Sequence, residues 1–219
     1  MTRIGARIAL RGDQQVEGSY EAGQLYAGNT NGCITRMLMK TLIDYPESKS
    51  NVSDAKQAFS HSPAKEVFYM KFPSHFSCIE YPEKDYVFVL RTVLEGAKQG
   101  GSAWDTYRTE ILKELGFNVT DACPALYYME DETGFLITGF QVDDALSVYT
   151  SDSLFNKFIA AMKRHVEMKN LGPLTHFCGV ENQNSTSALP GVWVIAPIRI
   201  SEDTQLLVPW QARATGALV

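Results

Sequence analysis

Cysteine is scarce in this chain and poorly spaced for cross-linking or zinc. The four cysteines, Cys33, Cys78, Cys123 and Cys178, lie far apart and form no CxxC pair, which argues against both a disulfide framework and a zinc site. They read as reduced, partly buried thiols. Histidine is equally sparse: His61 and His75 stand at no metal-ligand spacing to each other or to a carboxylate, so both read as structural or surface residues. No apolar run approaches membrane-spanning length, and the start MTRIGARIALRG lacks a secretory hydrophobic region, so no membrane span and a soluble intracellular protein are expected. A transit peptide already removed stays open. An excess of basic residues is also missing, with 20 Lys and Arg against 25 Asp and Glu and a net charge of −5. Because nucleic-acid binding depends largely on cations that neutralise phosphates, this balance argues against strong unaided affinity, although net charge can hide a basic face. A purely RNA-binding module is disfavoured on the same ground.

What is present is ordinary for a globular domain: 219 residues, 45% of them hydrophobic and 21% charged. One domain or two tightly joined subdomains are expected, with ample chain for a core. The organising stretch is Phe135–Tyr149, FLITGFQVDDALSVY, where two apolar runs flank a short polar break. It predicts a β-hairpin with Asp143 and Asp144 at its tip. Taken alone the pair also reads as a solvated turn, since Asp favours turns. Asp54, in NVSDAKQAF, ends another short candidate strand. Three carboxylates converging from separate elements could hold two Mg²⁺ ions, the arrangement that clamps attacking and leaving oxygens in nucleotidyl transfer.

Along the chain, residues 3–11 alternate apolar residues with arginines as a half-exposed strand would, and 12–32 reads mostly as loop. A helix is expected over Cys33–Tyr45, stopped by Pro46. Tyr69 and Met70 read as core, and Tyr86–Leu94 as a strand. A second helix is expected over Ser102–Leu115, with Ser102 as N-cap, Ala103, Tyr107, Ile111 and Leu115 on one face, and Gly116 ending it. Trp104 reads as a packing residue. Leu126–Met129 predicts a strand, Asp131–Gly134 a turn, Ser153–Val166 an amphipathic helix and Leu174–Val180 a last strand.

The acid-bearing QVDDAL resembles the YVDD-type motif of reverse transcriptases, and the surrounding chain resembles the polymerase of copia-type retrotransposons. SDAKQAF at Ser53–Phe59 and EVFYMKFPSHF at Glu66–Phe76 are similar to the family's DVKxAF and EEVYM segments. VLEGAKQGGSAW at Val93–Trp104 is similar to its SLYGLKQ segment and LGFNVTD at Leu115–Asp121 to its LGF segment. MKNLGPLTHFCGV at Met168–Val180 and ARIALRGDQQ at Ala6–Gln15 match in the same order. The resemblance thus runs over roughly residues 6 to 181.

That resemblance implies an α+β fingers–palm domain over residues 1–181, an antiparallel sheet with helices packed on one face and the other face open. From Asn182 onward the resemblance ends, and residues 182–219 are expected to be a divergent, extended C-terminal segment, with no recognisable thumb. It implies an RNA-directed DNA polymerase acting on an RNA/DNA primer–template, cytoplasmic or nuclear, with an organelle also open. Asp54 and Asp143 would bridge two Mg²⁺ ions, or Mn²⁺ in their place, with Asp144 in support. Arg7, Lys98, Gln99 and Gln141 would contact nucleotide or template. The chain departs from the pattern at Gly5, Glu95, Ser102 and Gln141, where a cation or an aromatic is replaced. The alternative is therefore a domesticated, catalytically idle copy that serves as a structural subunit among protein partners.

Overall fold

The computed structural model describes residues 8–17, 20, 25–30, 32–73, 80–81, 85–120, 123–178 and 180–181. Strands β5 (Cys123–Asp131), β6 (Gly134–Gln141) and β7 (Asp144–Tyr149) form an antiparallel meander, which contains the hairpin and the preceding strand expected from the apolar runs. To this are added β4 (Asn118–Thr120) at one side and β1 (Lys49–Lys56) and β8 (Glu167–Gly172) at the other. The sheet order is β4-β5-β6-β7-β1-β8, and every neighbouring pair is antiparallel. Helices α1 (Gly32–Asp44), α2 (Ala58–His61), α3 (Gly100–Glu114) and α4 (Asp152–His165) complete the larger elements. The chain is thus a mixed helix and antiparallel-sheet domain.

Successive strand residues point to opposite faces, and both faces of this sheet carry a core. Ala55, Leu136, Phe140, Ala145 and Tyr149 pack against Trp104 and Leu112 of α3 and Leu154, Phe158 and Met162 of α4. Val52, Leu146 and Val148 pack on the other face against Ile34, Leu38 and Met39 of α1, with Leu174 and Phe177. Helices therefore lie on both faces, a correction to the one-sided arrangement expected from the sequence. The physical reason is visible at Gly139, which leaves room for α1. A Cβ there would stand 2.8 Å from Thr30 Cγ2 and 3.1 Å from Leu38 Cδ1.

The helix boundaries follow from local chemistry. In α4, Ser151 accepts a hydrogen bond from the Leu154 amide, Asp152 occupies the first turn, and Lys163, Arg164 and His165 occupy the last. Both charge placements complement the helix dipole. Its predicted apolar stripe is buried as expected. Helix α3 begins at Gly100, so Ser102 lies inside it and no side chain caps it. Its buried residues include Trp104, Arg108, Ile111 and Leu112, while Tyr107 and Leu115 of the expected face pack half-buried against the same core. Arg108 belongs there because it is ion-paired inside the fold. Gly116 ends the helix at φ +88°, a conformation glycine adopts without strain.

Strand β8 has no apolar alternation to announce it; it forms because β1 offers an unpaired edge, with Ser53 opposite Asn170 and Ala55 opposite Met168. Only β9 (His176–Phe177) and β10 (Val180–Glu181) form where one longer strand was expected. Strands β2 (Pro63–Met70) and β3 (Phe88–Thr92) make a separate two-stranded ribbon. Tyr69 pairs with Val89 on its outer face and is 70% exposed, so it is not a core residue. Residues 8–11 form no strand; the Leu10 amide instead donates to the Glu95 carbonyl at 2.7 Å. Residues 3–7, His75, Cys78 and the segment 182–219 lie outside the described residues. Among the described residues, no helix is long and apolar enough to cross a membrane.

Candidate functional site

Register brings the acids together. Asp54 of β1 stands directly opposite Asp144 of β7, and Gln141 of β6 stands opposite Asp144 on its other side. Alternation places all three on the α1 face of the sheet. Asp143 is exposed in the adjoining turn, and its carbonyl accepts a hydrogen bond from the Ala55 amide at 2.9 Å, which ties the hairpin tip to β1. Partial burial raises the Asp144 carboxyl above its ordinary value, and the charges of Asp143 and Asp54 raise it further. No cation figures among the influences on it.

Hard carboxylate oxygens are the donor set that Mg²⁺ and Mn²⁺ take, and a cluster whose negative charges oppose one another gains from a divalent cation. In chemistry the residues fit such a group. In geometry they fall short of a closed site: among the described residues, no three His, Cys, Asp or Glu side chains stand in metal-holding geometry.

The turn that carries Asp143 and Asp144 is held in an unusual way. Val142 has φ +56°, and a β-branched residue in the left-handed region costs on the order of 1–3 kcal/mol. Its peptide groups are gripped from both sides. Trp104 Nε1 donates to the Val142 carbonyl at 2.6 Å and Arg108 Nη1 donates to it at 3.3 Å, while the Val142 amide donates to Asn29 Oδ1 at 3.1 Å. Arg108 is fully buried, ion-paired with Asp105, and its guanidinium lies 4.6 Å from the centre of the Phe140 ring. The same pair binds both sides of Gly28: Arg108 Nη2 donates to its carbonyl at 3.2 Å, and its amide donates to Asp105 Oδ2 at 3.0 Å. Residues 28–30 thereby run along the end of β6. The Thr30 amide donates to the Phe140 carbonyl at 2.7 Å and its hydroxyl donates to Gln141 Oε1 at 3.1 Å. Cys178 Sγ stands 3.9 Å from the same hydroxyl.

Asn29, Thr30, Asp105 and Arg108 were not among the residues singled out from sequence. The available signal was the spacing of Trp104, Asp105 and Arg108: an acid and a base one helical turn apart beside a tryptophan. Such a pair ordinarily reads as a solvated face, and only the tertiary contacts place it inside. Cys33 and Cys178 are exposed and Cys123 is half-buried, so of these three only Cys123 matches the expectation of a partly buried thiol.

Lys98 and Gln99 sit elsewhere, in the turn that precedes α3. Gln99 is 4% exposed. Its Oε1 accepts from Gln15 Nε2 at 2.9 Å, while its own Nε2 is buried without a partner beside a cavity of about 30 Å³ that Lys65, Phe68 and Val93 also line. Lys98 Nζ donates to the Tyr20 hydroxyl at 2.9 Å and lies 4.8 Å from the centre of that ring. Gln141 therefore joins the acids, Lys98 and Gln99 form a second group, and Arg7 lies outside the described residues.

An antiparallel sheet with acids at one strand end and at a hairpin tip gathers like charges that a cation would offset. Residues 2–190 match the family described as reverse transcriptase (RNA-dependent DNA polymerase). The chain belongs to this family. It is similar to a putative transposon Ty5-1 protein of Saccharomyces cerevisiae, 27% identical over 61% of this chain and 43% of that protein. It is also similar to the retrovirus-related Pol polyproteins from transposons RE2 and RE1 of Arabidopsis thaliana, each 22% identical. Those matches cover 83% and 86% of this chain, and 12% and 13% of the two polyproteins. The chain thus spans less than half the length of these relatives.

Proposed function

We propose that this chain carries the catalytic acids of an RNA-directed DNA polymerase, with Asp54, Asp143 and Asp144 as ligands for two divalent cations. The observation that carries this reading is the register of β1 and β7, which sets Asp54 opposite Asp144 beside the tip that bears Asp143, in a chain of reverse-transcriptase family. When bound, Mg²⁺ would polarise the reacting phosphate and make the primer 3′-hydroxyl a better nucleophile. The protein's own part is to hold three oxygen ligands on adjoining backbone. Asp54, Asp143 and the half-buried Asp144 would hold the ions. Gln141, held by the Thr30 hydroxyl, would present its amide nitrogen beside the primer end.

The test is primer extension on an RNA template with a DNA primer, in Mg²⁺ and separately in Mn²⁺, comparing the natural chain with Asp143→Asn. Incorporation that falls at least a hundredfold in the variant supports the reading. Equal background in both, from folded protein, overturns it.

A second reading is favoured by a specific observation: Gln99 is buried and bonded to Gln15 and so is not presented to a substrate, and the exposed Lys98 is bonded to Tyr20. In this reading the domain is catalytically idle and serves as a subunit of a larger assembly. Equal background in the extension assay, together with a stable complex on size-exclusion chromatography with a protein partner, is its expected signature.

A further inference from the structure

The hydrogen bonds around Val142 are more than this turn needs in order to close. The hairpin is already closed by the Gln141–Asp144 pair, yet three further side chains, Trp104, Arg108 and Asn29, bind the two peptide groups of Val142. Two come from one helix on the opposite face of the sheet, and the third from the segment that Asp105 and Arg108 hold. Left to itself, a valine would leave φ +56° for the extended region. The residues displaced by that move are Asp143 and Asp144, which follow it directly. The Asp143 carbonyl would then lose its hydrogen bond from Ala55, the link that sets the tip against Asp54.

We propose that Trp104, Arg108 and Asn29 form a latch on the Val142 peptide that fixes where Asp143 and Asp144 stand relative to Asp54. They are positioning residues: each acts through the backbone of Val142. The part of this inference that concerns metal rests on the proposed polymerase reading, but the latch itself does not. Arg108 serves twice, donating to the turn and to the Gly28 carbonyl while Asp105 accepts from the Gly28 amide, so the strand end and the segment beside it are held by one buried ion pair.

Two substitutions separate the latch from general packing. Trp104→Phe keeps most of the aromatic bulk and removes the N–H donor. Asn29→Ala lies on the exposed side and removes the acceptor, so it tests the same peptide in a protein whose core is untouched. Amide hydrogen exchange by NMR reads the turn directly. The expected result in either variant is roughly tenfold faster exchange at Val142 and Ala55, the size of one lost hydrogen bond, with amides in the middle of β5 and α4 unchanged. Mn²⁺ titration followed by electron paramagnetic resonance reads the consequence. Affinity should fall about tenfold in both variants, and the Mg²⁺ concentration for half-maximal primer extension should rise to match, with the rate at saturating metal largely recovered.

Unchanged exchange at Val142 and Ala55 in both folded variants overturns the latch. If the latch fails while Asp143→Asn still abolishes Mn²⁺ binding, the metal reading stands alone. If the natural chain binds no Mn²⁺ but Val142 and Ala55 respond as expected, the latch stands and the metal reading fails.

Discussion

At Asp144, partial burial and two neighbouring carboxylates act in the same direction and raise the carboxyl above its ordinary value. For an acid this means that the folded state binds the proton more readily than the unfolded chain. Stability from this group therefore falls as pH rises from about 3.9, the unfolded value, through the folded value. Above the folded value the penalty of the ionised side chain is fully present. Asp144→Asn should accordingly raise the melting temperature in EDTA at pH 7 by no more than a few degrees. That gain should shrink as the pH is lowered through the folded value and vanish below about 3.9, where the carboxyl is protonated in both states. Thermal unfolding followed by circular dichroism across that range checks it, and a variant that melts lower at pH 7 would contradict the sign. A second contrast belongs at this scale. The ion pairs Lys49–Asp152 and Lys40–Asp44 are exposed and contribute at most about 1 kcal/mol. Arg108 is 1% exposed against Asp105, and removing one partner of a buried pair leaves an uncompensated charge worth about 3–5 kcal/mol. Urea denaturation should therefore place Asp105→Ala several kcal/mol below the natural chain and Lys49→Ala close to it.

Among the elements, α1 and the sheet meet most tightly at Gly139, where a Cβ would press on Thr30, Leu38 and Ile34 at 2.8, 3.1 and 3.4 Å. Gly139→Ala should cost about 1–3 kcal/mol by overpacking, measured by urea denaturation. Because Thr30 bonds both the Phe140 carbonyl and the Gln141 side chain, the same change should loosen the strand end next to the acids. Ser151→Ala offers a simpler comparison: it removes the cap on α4 and should cost about 1 kcal/mol with no effect at the hairpin tip. These two elements also show what the sequence could and could not convey. The hairpin, α1 and α4 were legible because apolar residues recur at the period of a strand or a helix, and the Asp54–Asp144 pairing follows once those strands are neighbours. What was illegible depends on partners distant in the chain. Strand β8 is polar and exists because β1 has a free edge. The inward face of α3 is set by Arg108, a residue whose burial depends on Asp105, Gly28 and Val142 together. Tyr69 looks like core by type, yet its ribbon turns it outward. The acids of the candidate site were readable from the motif, whereas the side chains that hold their backbone were not, because a backbone carbonyl leaves no mark in sequence.

For the molecule as a whole, two apolar cores grip one sheet from both faces and leave an acidic strand end free of either. That arrangement lets the fold tolerate three like charges at one place, since its stability is set elsewhere. It also sets a limit on function. Nucleic-acid affinity grows with the number of phosphates neutralised by Lys and Arg, and this chain carries 20 such residues against 25 acids. Some of the cations are already committed: Arg108 is buried with Asp105, and Lys40, Lys49 and Lys56 face Asp44, Asp152 and Glu167. The acid cluster itself repels phosphate until a cation offsets it. Binding of this chain to an RNA/DNA primer–template should therefore be weak, with Kd near or above about 1 µM at physiological salt, the nonspecific range. Its salt dependence should be shallow, falling less than about 10³-fold in affinity between 50 and 200 mM, the loss shown by a protein making six or more phosphate contacts. Fluorescence anisotropy with a labelled duplex measures both quantities. Added Mg²⁺ at fixed ionic strength should tighten binding in the natural chain and leave Asp143→Asn unmoved, because only the natural cluster would convert repulsion into a bridge. Nanomolar affinity with a steep salt slope would instead mean that residues outside the described part of the fold supply a basic face, and that net charge does not limit this chain.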